Sequence, residues 1–87
     1  MSKTQDKRLQ RRIEQAEFLW ERAQLKAATA QSVLDFMVKQ YNEHKSELSE
    51  EIVAQTEEQI ALRQKEIEDF LMKEKAEYEK RLGIITP

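Results

Sequence analysis

The segment NEHKSELS, residues 42–49, separates two stretches of helix-forming sequence and decides how they are arranged. Ser49 is a good helix N-cap, and the two glutamates that follow it are favoured at the positive end of a helix dipole. Leu48 and Val53 occupy the two positions of a hydrophobic staple, which fixes the entry of the chain into a helix. These signals predict a bend at about 45–49.

Upstream of the bend, apolar residues recur at alternating steps of four and three. This is a heptad seam, meaning a line of residues that faces a neighbouring helix, and it lasts for nearly five repeats. Its members are Leu9, Ile13, Ala16, Trp20, Ala23, Ala27, Ala30, Leu34, Met37 and Tyr41. The stretch contains no glycine or proline, so the sequence predicts a helix over about 3–44 with a length of ~60 Å.

Downstream of the bend, a weaker seam predicts a second helix over about 50–82. Its positions are Val53, Glu57, Ile60, Gln64, Ile67, Leu71, Glu74 and Tyr78. We interpret its three polar positions as setting the register of packing rather than as acid or base groups. Gly83 should end this helix in a left-handed cap, next to two cations that suit the helix end, and leave a short tail over 83–87.

An antiparallel arrangement of the two helices pairs small residues with large ones. If facing residues have numbers that sum to 94, the bend falls at residue 47, Ala27 faces Ile67 and Ala23 faces Leu71. One continuous rod is the alternative, but the first seam does not continue in register past the bend. The sequence therefore predicts an all-α protein with a single domain over 1–87, a long antiparallel two-helix coiled-coil hairpin.

Several large apolar residues lie outside both seams and would remain exposed to solvent in a single hairpin. We expect them to form protein-interaction surfaces and the hairpin to associate with itself, as a dimer or a larger helical bundle. The residues assigned to these contacts are Phe18, Leu25, Val33, Phe36 and Phe70, together with Ile84 and Ile85 of the predicted tail.

The composition offers little for catalysis or for cofactor binding. The chain has no cysteine and a single histidine, His44, which excludes disulfides, thiolate metal sites and a cysteine nucleophile. Its one glycine cannot build a phosphate-binding loop. We expect no catalytic, cofactor or metal site and therefore no enzyme. Apolar runs are too short to cross a bilayer, so we also expect a soluble protein, cytoplasmic or within a virion.

Charge is distributed unevenly along the chain, although the net charge is only −2. Residues 1–12, the basic arm, contain five cations against Asp6, whereas residues 43–69 contain nine acids against three cations. The arm extends beyond the predicted end of the second helix and could contact nucleic acid or an acidic partner. The cations assigned to this contact are Lys3, Lys7, Arg8, Arg11 and Arg12.

Together these features favour a non-catalytic assembly, adaptor or scaffold protein that acts through protein contacts, for example in a viral or phage particle. Its partners would be copies of itself and a larger protein assembly, with no membrane. One alternative is a small inhibitor or regulator that binds an enzyme through an acidic face, carried by Glu50, Glu57, Glu58, Glu68 and Asp69. A less favoured alternative is a nucleic-acid-associated protein that uses the basic arm.

Overall fold

The computed structural model describes the backbone of residues 3–85 and the side chains of residues 6–83. Helix α1 runs over Lys3–His44, a short 3-10 turn over Lys45–Glu47, and helix α2 over Glu50–Ile85. The two long helices pack against each other, and no strand occurs in the described chain. The all-α helical hairpin predicted from the sequence is confirmed.

The hairpin is a thin rod. Its extents are 69 × 17 × 9 Å and its radius of gyration is 20.0 Å, against about 12 Å for a compact domain of this length. A molecule that is two helices wide and one helix thick cannot enclose a core on all sides. Its apolar interior is therefore a single line between the helices.

The bend forms where the capping signals predict it. The Ser49 hydroxyl accepts a hydrogen bond from the backbone N–H of Ile52 at 3.3 Å, as an N-cap does. The backbone N–H of Val53 donates to the Ser49 carbonyl at 2.9 Å and begins α2. Leu48, in extended conformation, donates its N–H to the Lys45 carbonyl at 3.1 Å. These bonds satisfy backbone groups that a helix start would otherwise leave open.

Among residues 6–83, every buried residue belongs to the seam of α1. They are Ala16, Ala23, Ala27, Leu34 and Tyr41. The α2 residues predicted to face them, including Ile60, Ile67 and Leu71, are only half-buried. Three of the five buried residues are alanines, so the larger side chains of α2 can lie close against the α1 backbone. Small residues on one helix and large residues on the other thus fill the interface.

Contacts between the helices agree with the predicted register. The Tyr41 hydroxyl lies 3.5 Å from the carbonyl oxygen of Val53, its predicted neighbour. Ala27 and Ile67, another predicted pair, line the same two cavities beside the interface.

Longer side chains meet at a different sum of residue numbers for a geometric reason. The rings of Trp20 and Tyr78 stack, with centroids 5.8 Å apart and planes 13° from parallel. Side chains on a helix lean toward its N-terminus. In an antiparallel pair, the tips of two long side chains therefore meet at a sum higher than that of the facing backbone positions, and the numbers of Trp20 and Tyr78 sum to 98.

The predicted end of the second helix is wrong. Helix α2 continues through Gly83 to Ile85, and no described residue has a positive φ. Glycine permits a left-handed cap but does not require one, and a helical glycine costs only about 1 kcal/mol relative to alanine. A Cβ placed on Gly83 would meet no atom within 4 Å, so no close approach demands glycine there.

Candidate protein-interaction site

The seams divide the hairpin into two flanks. Residues that lie one position before one seam residue and four positions before the next form one flank. Residues that lie one position after one seam residue and four positions after the previous one form the other, because each residue turns the helix by about 100°. Because the helices are antiparallel, residues with the same offset from the seam in α1 and in α2 lie on the same side of the hairpin. The two flanks carry different side chains beside the seam.

The first flank carries a groove of about 660 Å³ at the middle of the rod. Its apolar lining comes from both helices and comprises Ala27, Ala30, Val33, Leu34, Leu62, Ile67 and Phe70. Its polar edge is formed by Lys26, Gln59, Arg63 and Glu66. Val33 is 62% exposed and Leu62 is 50% exposed, so the hairpin itself does not cover these side chains. We call this surface the groove.

At one end of the groove, a lysine ammonium group lies over an aromatic ring. The Lys26 ammonium lies 5.3 Å from the centroid of the Phe70 ring, within the range of a cation–π interaction. Phe70 is half-buried, in contrast to the exposed Val33. The contact keeps a charge beside the apolar lining.

On the second flank, Gln31 pairs with a polar residue of the α2 seam. The side-chain amides of Gln31 and Gln64 donate to each other's carbonyl oxygens, both at 2.8 Å. Gln31 also lines a smaller cavity of about 320 Å³, together with Ala27 and Leu71. Because the two amides bond to each other, this pair needs no further hydrogen-bond partner.

A second polar cluster ties the bend to the helices. Glu57 accepts hydrogen bonds from the Lys45 ammonium at 2.9 Å and from the Tyr41 hydroxyl at 3.1 Å. The bond from Lys45, followed by the bond from Tyr41, lowers the pKa of Glu57. The bond to Glu57 raises the pKa of Lys45. Burial, reinforced by the bond to Glu57, raises the pKa of Tyr41. The cluster joins the bend to both helices through charge-assisted hydrogen bonds, and we call it the latch.

The latch predicts a pH-dependent contribution to stability. Folding lowers the pKa of Glu57, so ionised Glu57 stabilises the hairpin fully at pH values above its ordinary pKa of 4.5. This contribution is lost as the pH falls through the folded-state pKa. We expect the Glu57→Gln variant to melt below the unmodified protein at pH 7 and to approach it at pH 3. Circular dichroism melts across that range measure the difference.

The exposed neighbour Glu58 supplies the control. Glu58→Gln should leave the melting temperature nearly unchanged at pH 7. A constant gap between the Glu57→Gln variant and the unmodified protein at every pH would contradict the latch. The pKa values of Lys45 and Tyr41 are raised, so these two residues affect the pH dependence of stability only in alkaline solution. Their contribution to stability is lost as the pH rises past the ordinary pKa values of 10.5 and 10.0.

A third surface lies on α1, on the side away from α2. Phe18, Leu25 and Phe36 each follow a seam residue by two positions, which places them about 200° around the helix from the seam. They are 57%, 69% and 65% exposed. Thr29, which also follows a seam residue by two positions, donates its hydroxyl to the Leu25 carbonyl at 3.0 Å. We call Phe18, Leu25 and Phe36 the outer stripe.

The residues assigned to protein contacts from the sequence thus divide between two surfaces. Val33 and Phe70 line the groove, and the other three form the outer stripe. Ile84 and Ile85 lie in α2, and their side chains are outside the described ones. Sequence reasoning missed this division and the Gln31–Gln64 pair. The offsets of Phe18 and Leu25 from the seam would have indicated the division.

The basic arm begins α1 and points away from the bend. Lys7, Arg8, Arg11 and Arg12 are exposed, while the side chain of Lys3 lies outside the described residues. Among residues 6–83, salt bridges form only near the bend, where His44 meets Glu47 and Lys45 meets Glu57. The four described cations of the arm are therefore open to an external partner.

The described residues contain no group of three or more His, Cys, Asp or Glu side chains that could hold a metal ion. None of the described helices is long and apolar enough to span a bilayer. The described residues form an elongated α-helical hairpin that exposes apolar side chains in the groove and along the outer stripe. Comparison with family models, with curated proteins and with solved structures finds no significant match.

Proposed function

We propose that this protein is a non-catalytic assembly element, a scaffold or adaptor that associates with itself and joins a larger protein assembly. The observation that supports it most is the exposure of large apolar side chains on two separate surfaces, the groove and the outer stripe. Contiguous exposed apolar patches usually mark interaction sites. A structural role in a viral or phage particle is one form of this proposal.

Burial of the exposed apolar side chains would favour association. Covering a large apolar side chain contributes about 1.5–3 kcal/mol, so burying several at once can drive association. Phe18 and Leu25 lie two positions from a seam residue in both directions, on the face of α1 opposite α2, whereas the groove lies between the helices. One hairpin could therefore contact two neighbours at the same time, which a scaffold or adaptor must do.

Light scattering at micromolar concentration tests the proposal. We expect a mass of at least twice 10.4 kDa, falling toward the single-chain mass on dilution. A helical protein that keeps a mass of 10.4 kDa over the whole concentration range would contradict self-association. Circular dichroism on the same samples establishes that the chain is folded when it is weighed.

Nucleic-acid contact through the basic arm is a second candidate, supported by the four exposed cations without internal ion pairs. Binding of a short duplex DNA or RNA should weaken steeply as salt rises. Replacing Arg11 and Arg12 with glutamine should lower both the affinity and the salt slope. Binding that ignores both the salt and the two substitutions would exclude the arm.

A further inference from the structure

The groove is well placed to receive a helical partner along the rod. It runs between the helices at mid-length, over residues 26–34 of α1 and residues 59–70 of α2. Its lining is apolar, and the α2 edge carries one cation and one anion, Arg63 and Glu66, three positions apart. A partner therefore needs an apolar stripe and charges that match this edge.

The two ends of the rod carry opposite charge. The open end holds the basic arm, with five cations against Asp6. The bend, residues 43–51, holds four glutamates against Lys45. These ends are separated by most of the 69 Å length of the molecule. Two copies stacked with their bends together would bring like charges side by side, whereas the reversed arrangement brings opposite charges together.

We propose that the groove binds a second copy of this chain, whose bend lies at the opposite end of the rod. The acidic bend of each copy then sits beside the basic arm of the other. This inference rests on the proposed self-association and adds to it the surface, the partner and the direction of packing.

The register follows from the groove itself. A two-fold axis through the middle of the groove sets the α2 helices of the two copies antiparallel about residue 64. Arg63 of each copy then lies within one residue of the level of Glu66 of the other copy, and symmetry repeats the pair. On the α1 side, Arg12 of each copy comes level with Glu47 of the other copy, to within one residue.

Distances between labelled copies test the direction of packing. The chain has no native cysteine, so Ser46→Cys at the bend takes one spin label per copy. The proposed register separates two such labels by 32 residue levels, about 48 Å along the rod. Mixing these copies with copies labelled at Gln10→Cys should add a short distance between the bend of one and the arm of the other.

A pair of matched substitutions tests the surface. Leu62→Glu places a charge in the groove, while Met72→Glu places the same charge at a 70% exposed position of α2 that does not line it. We expect Leu62→Glu to weaken the dimer at least tenfold and Met72→Glu to leave it unchanged, with both variants helical by circular dichroism.

A charge swap provides an independent test if Leu62→Glu fails to fold. Glu66→Arg sets Arg63 of one copy against a new cation of the other and should weaken the dimer by about tenfold. Adding Arg63→Glu restores opposite charges across the interface and should recover most of the affinity. A double variant as weak as the single one would overturn the register.

The outcomes separate this proposal from the broader one. A stable monomer would remove both self-association and the inference. A dimer whose bend labels lie within about 25 Å would overturn the reversed packing and leave self-association intact. A dimer that resists Leu62→Glu but is broken by Leu25→Glu would place the contact on the outer stripe and overturn the groove as the interface.

Discussion

Replacing Leu34 with alanine should destabilise the hairpin by about 2–5 kcal/mol. Leu34 is 4% exposed and is the one branched aliphatic residue among the five that are buried, the others being alanines and a tyrosine. The rod has no further layer of side chains that could move in to fill the space. Urea unfolding followed by circular dichroism, at one protein concentration for all variants, measures the loss.

Leu25→Ala is the matched control, because it removes the same atoms from the same helix at a position that is 69% exposed. We expect its free energy of unfolding to change by no more than about 0.5 kcal/mol. Equal losses at Leu34 and Leu25 would mean that the seam does not face α2. The comparison therefore tests the rotational phase of α1 directly.

The sequence was sufficient to predict which face of α1 packs against α2 and where the chain bends. A seam of ten residues in one heptad register leaves a single face for the partner helix, and all five buried residues lie on it. Ser49 identifies the start of α2 because a hydroxyl acceptor is needed at an N-cap, and its bond to Ile52 is present. Local chemistry fixed these features, so local patterns predicted them.

Pairing across the flanks could not be predicted in the same way. Gln31 lies outside the seam, and its reciprocal bonds to Gln64 depend on the rotation of both helices and on two rotamers. Lys45 reaches Glu57 only because the bend folds back over the start of α2. The prediction of the end of α2 was wrong for another reason, because Gly83 permits a left-handed cap without imposing one.

The candidate site was predicted in part. Exposure of Phe18, Leu25 and Phe36 follows from their distance from the seam, and the sequence assigned them to contacts. The groove is different, because it arises from two helices that each contribute one edge. Neither helix alone indicates it, and the position of Leu62 beside Val33 depends on the antiparallel register.

Ala23→Leu should destabilise the hairpin by about 1–3 kcal/mol, the usual cost of overpacking. Ala23 is 6% exposed, was predicted to face Leu71, and lines neither of the two cavities beside the interface. A leucine adds three carbon atoms at this buried position, so the helices must separate or the side chain must take a strained rotamer. Urea unfolding by circular dichroism again measures the change.

Ala28→Leu is the control, with the same substitution at an exposed position beside the smaller cavity. Alanine and leucine have similar helix propensities, so its stability should change by no more than about 0.5 kcal/mol. If both variants were equally stable, close approach at the alanines would not hold the hairpin together. If only Ala23→Leu loses stability, the alanines set the distance between the helices, and with it the width of the groove.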